Sequence, residues 1–417
     1  MRIAIVGGGF TGLACALFLV ERGEEVVLYE ESQSLGGLAG GVSEKRWRWS
    51  LEYFYHHIFT NDKDILNLAK RVGAGVLIKN PVTTSFLDKK EIQLDSPVSV
   101  LKFSGLSLWG RVHMGMGLAV LKLISNGLFL EKFRVVDFLP KLIGVEGYQV
   151  IWEKLLKAKF GSKASAVNMA WFWTRVAKRT KKLGYFEEGF QSLANKTGEK
   201  IISLGGEIRT ETKVGKIESV NKNKWLVDGE KFDGVVMTTP APVAEKLLGK
   251  EVVDFPEISY LWGQTVVVEL SEKLINGYWM NILEKDWPFL VVVEHTNMID
   301  KKFYGNNRVV YLGNYLPEDS KQLSMNKEEL IALYLPYLRK INGAFKRKWV
   351  KNIFVFKKPF AQPVFPVNYS LKLPKMKTKY PGLYVANMSM VYPFDRGTNY
   401  AVKMGNEVAR SVLNDLR

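Results

Sequence analysis

The chain has 417 residues, with 59 Lys+Arg against 42 Asp+Glu, a formal net charge of +17 and a single cysteine. At about 100–200 residues per domain that length gives two to three domains, and 47% apolar with 24% charged residues excludes disorder and fibrous repeats. Lone Cys15 excludes an intrachain disulfide or a cysteine-rich metal site and fits a reducing compartment; with four histidines, of which only His56 and His57 adjoin, no metal centre is expected.

The chain opens directly on Met1-Arg2-Ile3-Ala4-Ile5-Val6, a strand pattern without the basic start, apolar core and small-residue cleavage site of a signal peptide. Gly7-Gly8-Gly9-Phe10-Thr11-Gly12 follows, and then an apolar, Ala-rich helix to about Val20. This is G-x-G-x-x-G in its required strand–turn–helix setting. Gly7 permits the turn, Gly9 lets the backbone approach a pyrophosphate, and Gly12 allows close helix–strand packing. The helix N-terminus, reached through Phe10 and Thr11, offers free N–H groups to the phosphates. Cys15 within it reads as a small packed core residue. Gly23 closes the helix, and Glu25–Tyr29 makes a second strand ending at Glu30, placed to accept hydrogen bonds from an adenosine ribose. A second glycine cluster, Gly36-Gly37-Leu38-Ala39-Gly40-Gly41, comes directly after. An NAD domain has no need of a second such loop there, so the pattern points to FAD.

On these residues the sequence resembles the FAD-dependent amine oxidase superfamily, which includes protoporphyrinogen oxidases, carotenoid and squalene-pathway desaturases and UDP-galactopyranose mutases. The resemblance implies an α/β protein: a Rossmann-like FAD-binding domain (GR2-type) with an inserted mixed α+β substrate domain. It assigns 1–80, 190–245 and 375–417 to the FAD domain, and 81–189 with 246–374 to the substrate domain, a helical part plus a mixed sheet. Gly36-Gly37-Leu38 stands where amine oxidases usually have Gly-Gly-Arg, which is closer to the desaturase and mutase branches. The implied cofactor is non-covalent FAD, since Cys15 lies beside the pyrophosphate loop and away from the ring.

Leu51–Asp62 resembles a mutase loop in which a Gly-x-His-Ile-Phe-type run touches the flavin. Adjacent histidines on an extended segment point to opposite sides. His57, before Ile58-Phe59, is taken as the hydrogen-bonding or proton-handling group, against the alternative of a structural histidine. Residues 96–130 hold Lys102, Arg111 and Lys122, no acid, and many apolar side chains. They read first as core helices of the second domain, with a membrane-lying or cavity-lining role as the alternative. Residues 154–186 hold nine Lys/Arg and no acid.

Gly184–Leu193 resembles the family's return into the FAD domain. Beyond it the resemblance assigns Val214 to the adenine through its backbone, and Phe232–Pro240 to a strand ending at Thr-Pro near the cofactor. Strands at Thr265–Leu270, Phe289–Glu294 and Val309–Leu312 would floor the substrate cavity, with Trp279, Trp287, Tyr311 and Tyr315 as candidate lining. Residues 339–380 carry twelve Lys/Arg and no acid, so the rest of the chain, outside both basic windows, is nearly neutral. Such localised charge suits an anionic partner or a solubilising face. The uncharged run Tyr380–Phe394 is broken by Pro381 and Pro393 and is shorter than the roughly 18 residues of a spanning helix. Pro381–Asn387 resembles the last FAD strand, with Asn387 where the family has Asp at the ribitol. Asp395-Arg396-Gly397-Thr398-Asn399-Tyr400 leads into a closing helix whose N-terminus, in the family, points at the flavin. Gly397, Thr398 and Asn399 are assigned to the cofactor there, and Thr398 also suits a helix cap.

The leading functional expectation is an FAD-dependent oxidoreductase accepting hydride at N5 from a small organic substrate, phosphorylated or lipid-like. A non-redox UDP-sugar mutase is the alternative, although the Asp395–Tyr400 ending differs from the mutase ending. A non-catalytic prenyl-binding protein is third, disfavoured by the intact phosphate loop. The expected partners are a small anionic substrate and a peripheral membrane contact. No nucleic acid is expected, since no recognition motif accompanies the basic windows. The implied location is cytoplasmic, with the cytoplasmic membrane face as a variant.

Overall fold

The computed structural model describes residues 1–94, 96–221, 224–394 and 396–416; Asp395 of the closing motif lies outside them. Five parallel strands form one sheet, in spatial order Glu207–Arg209, Glu25–Tyr29, Arg2–Val6, Gly234–Met237 and Leu383–Val385. All five come from the stretches assigned to the FAD domain. They are short and almost wholly apolar, as strands covered on both faces must be. One face is covered by the helix Phe10–Val20, which packs against Thr398–Leu416 and Phe190–Ser203. A three-stranded antiparallel meander, Ile217–Asn221, Lys224–Val227 and Glu230–Phe232, joins the cluster of Val6, Val27, Val214 and Val235 on the other face.

A seven-stranded mixed sheet makes the second layer, in order Val350–Pro363, Tyr260–Leu270, Arg308–Leu316, Val291–Glu294, Trp279–Ile282, Thr83–Leu87 and Lys90–Gln93. Its neighbours are antiparallel except for Trp279–Ile282 beside Thr83–Leu87. Helix Lys327–Ile341 covers its outer face. Helices between Pro97 and Ala177 form a separate apolar cluster around Leu139, Ile143 and Trp171–Trp173.

The two halves are stitched together more than a division by sequence suggests. Leu183–Phe186, assigned to the substrate half, pairs antiparallel with Ile58–Phe59 and Val76–Lys79 of the cofactor half. Glu269, fully buried in the seven-stranded sheet, accepts from the Trp47 indole at 2.8 Å and is ion-paired with Arg46. A buried carboxylate is held only where such partners replace water.

Candidate functional site

The parallel strands end in register, Val6 beside Tyr29 and Met237, and Met237 beside Val385. Gly7, Glu30, Thr238 and Ala386–Asn387 therefore converge on one edge, where ligands of such sheets bind. Gly7 turns the chain at φ +112°, and a Cβ there would sit 2.7 Å from the Thr238 hydroxyl. That hydroxyl donates to the carbonyls of Val6 and Gly7 at 3.0 and 2.9 Å. A Cβ on Gly12 would lie 2.0 Å from the Gly7 carbonyl, so any other residue is sterically refused. A Cβ on Gly9, by contrast, would meet nothing within 4 Å: the loop shows bare backbone to open space. Gly9 is the N-cap of Phe10–Val20 and no side chain caps that helix, so the N–H groups of Phe10, Thr11 and Gly12 remain available to an anion.

The second glycine cluster is fastened to the first. Gly36 N–H donates to the Gly8 carbonyl at 2.9 Å, and Gly9 bridges Gly36 in parallel. Gly36 and Gly37 take φ of +104° and +59°, a conformation that glycine alone adopts without strain. Leu38 follows within the short helix Gly37–Ala39. Gln191, at the start of Phe190–Ser203, accepts from Gly41 N–H at 2.9 Å and braces this loop from outside. The Glu30 carboxylate accepts from the N–H groups of Gly8 at 2.7 Å and Ser32 at 2.9 Å, which fixes it at the strand end. Thr212 N–H donates to the Glu30 carbonyl at 2.9 Å, and this places the segment carrying buried Val214 alongside.

Asn387 is buried; its carbonyl oxygen accepts from Ser389 N–H at 3.1 Å and from the Ser389 hydroxyl at 2.6 Å. Asn387 Nδ2 and Thr239 Oγ1 are two of the seven buried side-chain polar atoms that have no hydrogen-bond partner among the described residues. Leaving a buried donor unmatched costs about 1–3 kcal/mol. Two orphaned polar atoms beside an open glycine loop are what a polyhydroxylated, phosphorylated ligand would satisfy. The residues present thus fit a dinucleotide.

The closing helix departs from expectation in two places. Gly397, not Thr398, is the N-cap: its carbonyl accepts from Tyr400 and Ala401 at 3.1 Å each, and Thr398 is the first helical residue. The Asn399 side chain is also already engaged. It accepts from the N–H groups of Asp64 and Ile65 at 2.9 and 3.2 Å and so caps the helix Lys63–Arg71.

His56 and His57 do point apart. His56 Nδ1 lies 2.6 Å from the Phe54 carbonyl, with its ring against Phe190. The His57 ring sits among Phe59, Tyr278 and Trp279, with Nδ1 3.5 Å from the Tyr278 hydroxyl. Both residues are half-buried. Burial pushes His57 down to about 3, helped by the positive charge of Arg179, and burial pushes His56 down to about 4. Both are therefore uncharged at neutral pH.

Of the four aromatics proposed to line the cavity, two lie elsewhere. Trp287 packs on Phe86 and Tyr337 in the cluster beneath Lys327–Ile341, and Tyr311 is fully buried with its hydroxyl donating to the Glu52 carbonyl at 2.8 Å. Trp287 lies in the connection between strands Trp279–Ile282 and Val291–Glu294, whereas Tyr311 shares its sheet face with Trp279 through Val293 but is buried two strands further in. Trp279 stands against His57 and Tyr55.

Tyr315 joins a group that sequence reasoning left unassigned. The Arg396 guanidinium lies 4.5 Å from its ring centroid and donates to its hydroxyl, to Gln362 Oε1 at 2.9 Å and to the Ala361 carbonyl. Lys159 Nζ is 5.0 Å from the same ring and 5.2 Å from that of Trp171, over which Arg175 also sits at 4.6 Å. Burial pushes Arg396 down to about 10, with Arg175 acting in the same direction and Tyr55 against it, so it stays charged. Three cations thus gather directly before the closing helix. Lys159 and Arg175 belong to the first basic window, where counting charge gave no sign that they converge on Arg396.

Glu52 was also missed. It is buried, accepts from the Tyr185 hydroxyl at 2.9 and 2.8 Å and from Phe190 N–H at 2.8 Å, and burial pushes it up to about 7.

The family profile described as flavin containing amine oxidoreductase matches residues 10–413. The chain belongs to that family, a flavin-containing oxidoreductase with an α/β Rossmann-like region. Among curated relatives, zeta-carotene desaturase of Capsicum annuum is 33% identical over 91 residues, 21% of this chain and 15% of that protein's length. 15-cis-phytoene desaturase of Glycine max is 22% identical over 397 residues, covering 82% of this chain and 66% of that one. The match to the first relative therefore spans well under two thirds of its length. Among solved structures, a candidate protoporphyrinogen oxidase from Exiguobacterium sp. 255-15 has a TM-score of 0.77 at 18% identity, covering 99% and 98% of the two chains. Reduced UDP-galactopyranose mutase reaches 0.77 at 14% identity, with 99% and 95% covered. Putrescine oxidase bound to putrescine reaches 0.74 at 13%, with 99% of each chain covered. At these identities the likeness is one of fold.

Proposed function

We propose that this flavin-family chain binds FAD non-covalently and oxidises a small organic substrate bearing an anionic group. The observation that carries the reading is the gathering of Arg396, Arg175 and Lys159 around Tyr315 and Trp171, at the head of the closing helix. Gly7, Gly9, Gly12, Gly36 and Gly37 would hold the pyrophosphate, Glu30 the adenosine ribose, Val214 the adenine, and Asn387 a ribitol hydroxyl. Gly397–Asn399 would offer backbone N–H groups at the ring end. FAD, when bound, supplies a two-electron acceptor for substrate hydride.

The chain's own residues bind and orient. A guanidinium grips a phosphate or carboxylate through two parallel N–H bonds, and the low-dielectric wall of Tyr315, Trp171 and Tyr55 strengthens that attraction. Neutral His57 is suited to hydrogen-bond the cofactor or substrate without adding charge. Trp279, Phe59 and Tyr55 exclude water from that side of the cleft.

The test begins with the visible spectrum of the protein as purified and the flavin released by acid, which should be intact FAD. Anaerobic bleaching is then compared for paired substrates with and without a phosphate or carboxylate. Arg175→Met and Arg396→Met should raise KM for the charged member of each pair at least about ten-fold and leave the neutral member unaffected. A colourless protein that takes up no FAD would overturn the reading. The same cations suit a sugar diphosphate, which supports the UDP-sugar mutase alternative. Turnover of UDP-galactopyranose by the reduced protein, with no net flavin oxidation, would replace the first reading with the second.

A further inference from the structure

The helix Leu108–Leu123 is buried on one side only. Gly110, Met114, Gly117 and Leu121 face the helical cluster, and Gly117 is so close to the Leu142 carbonyl that a Cβ would lie 2.3 Å from it. On the other side Leu108 is 70% exposed, Trp109 82%, Met116 57%, Val120 50% and Leu123 85%. At about 100° per residue these five positions fall within a single arc of roughly 120°. Leu101 and Phe129, in the flanking turns, are exposed as well. A contiguous apolar surface of this kind marks an interaction site.

The charges around it narrow the partner. Residues 96–130 contain no acid, while Lys102 and Lys122 are exposed and Arg111 is half-exposed. Among the described residues, Glu146 is engaged with Ser107 N–H and hydroxyl, Asp137 with Arg134, and buried Glu131 with Ser370. A second copy of this chain would set the same cations against one another. An anionic bilayer presents an apolar interior beneath negative headgroups, which complements both features at once. No helix among the described residues is long and apolar enough to cross a membrane, so the contact is one of lying on the surface.

We propose that the exposed face of Leu108–Leu123 docks the protein on a bilayer containing anionic phospholipids, with Trp109, Met116 and Leu123 inserted at the headgroup boundary and Lys102, Arg111 and Lys122 beside the phosphates. This inference stands apart from the choice of substrate. The test is co-sedimentation of the purified, cofactor-loaded protein with phosphatidylcholine vesicles, with and without phosphatidylglycerol. The wild type should sediment with the anionic vesicles, and the paired variant Trp109→Glu with Leu123→Glu should partition at least about ten-fold more weakly, with unchanged thermal midpoint and flavin content. Lys102→Gln with Lys122→Gln should erase the preference for anionic over neutral vesicles. A wild type that stays in the supernatant, or a Glu variant that binds as the wild type does, would overturn the proposal. A concentration-dependent dimer abolished by the same Glu variant would overturn it too, by giving the face to a second copy.

Discussion

Two apolar helices of this protein have opposite fates. Phe10–Val20 is buried at every residue except Thr11, clamped between the parallel sheet, the closing helix and Phe190–Ser203. Leu108–Leu123 is as free of acids but carries Arg111, His113 and Lys122, and its neighbours Pro97–Leu101, Val135–Ile143 and Met169–Ala177 cover one side and leave a broad arc in water. The cations of the second helix account for part of the difference, but bare Trp109, Met116 and Leu123 reflect how few partners surround it. An all-round apolar helix inside a core is a packing element, and an apolar face at an edge is a surface asking for a partner.

Glycines break the comparison most sharply. Gly12→Ala places a Cβ 2.0 Å from the Gly7 carbonyl, so the variant should lose more than about 4 kcal/mol or fail to retain flavin; urea unfolding and the flavin absorbance check this. Leu17 is fully buried in the first helix, and Leu17→Ala should cost about 2–5 kcal/mol. The same change at exposed Leu123 should stay within about 0.5 kcal/mol, and chemical denaturation of the two variants measures the contrast directly.

Glu52 tests the core side of the comparison through pH. It holds the N-terminus of Phe190–Ser203, which packs on the first helix. Burial raises it from an ordinary 4.5 to about 7, so between those values the folded state binds the proton more tightly than the unfolded chain. The Glu52 contribution to stability therefore falls as pH rises through that window and levels off above it, whereas His56, His57 and His295, pushed down by burial, contribute the opposite slope below their ordinary value. Glu52→Gln should flatten this decline. Asp62 and Glu294, raised by burial to about 6, add to the same slope, so the readout is the difference in thermal midpoint between wild type and variant across the window. The smallest effect is a gain: a Cβ on Gly115 would meet nothing within 4 Å, and Gly115→Ala should stabilise by about 0.5–1 kcal/mol in the same denaturation assay.

Much of the glycine-loop geometry was legible because its constraints are local. Positive φ at Gly7, Gly36 and Gly37, and the close approach at Gly12, are demands that a strand–turn–helix places on residues a few positions apart. Glu30 ends its strand where chain length alone puts it. Asn399 was expected at the cofactor, and its role as a cap on Lys63–Arg71 was not legible, because its partners lie 335 and 334 residues away. Trp287 read as a cavity residue although it lies in the connection between two strands, and Tyr311 because a strand pattern says which side chains share a face but not how deeply other elements bury them.

The sequence by itself determined the dinucleotide fold, the two basic windows and the apolar, acid-free stretch at 96–130. Tertiary structure alone decided that Lys159, Arg175 and Arg396 meet around Tyr315 and Trp171, and that one side of Leu108–Leu123 stays bare. The physical reason is range. Backbone sterics and periodicity act within a turn or two and leave their mark in neighbouring residues, whereas convergence and exposure are set by which distant elements pack together, and no short window of sequence carries that information.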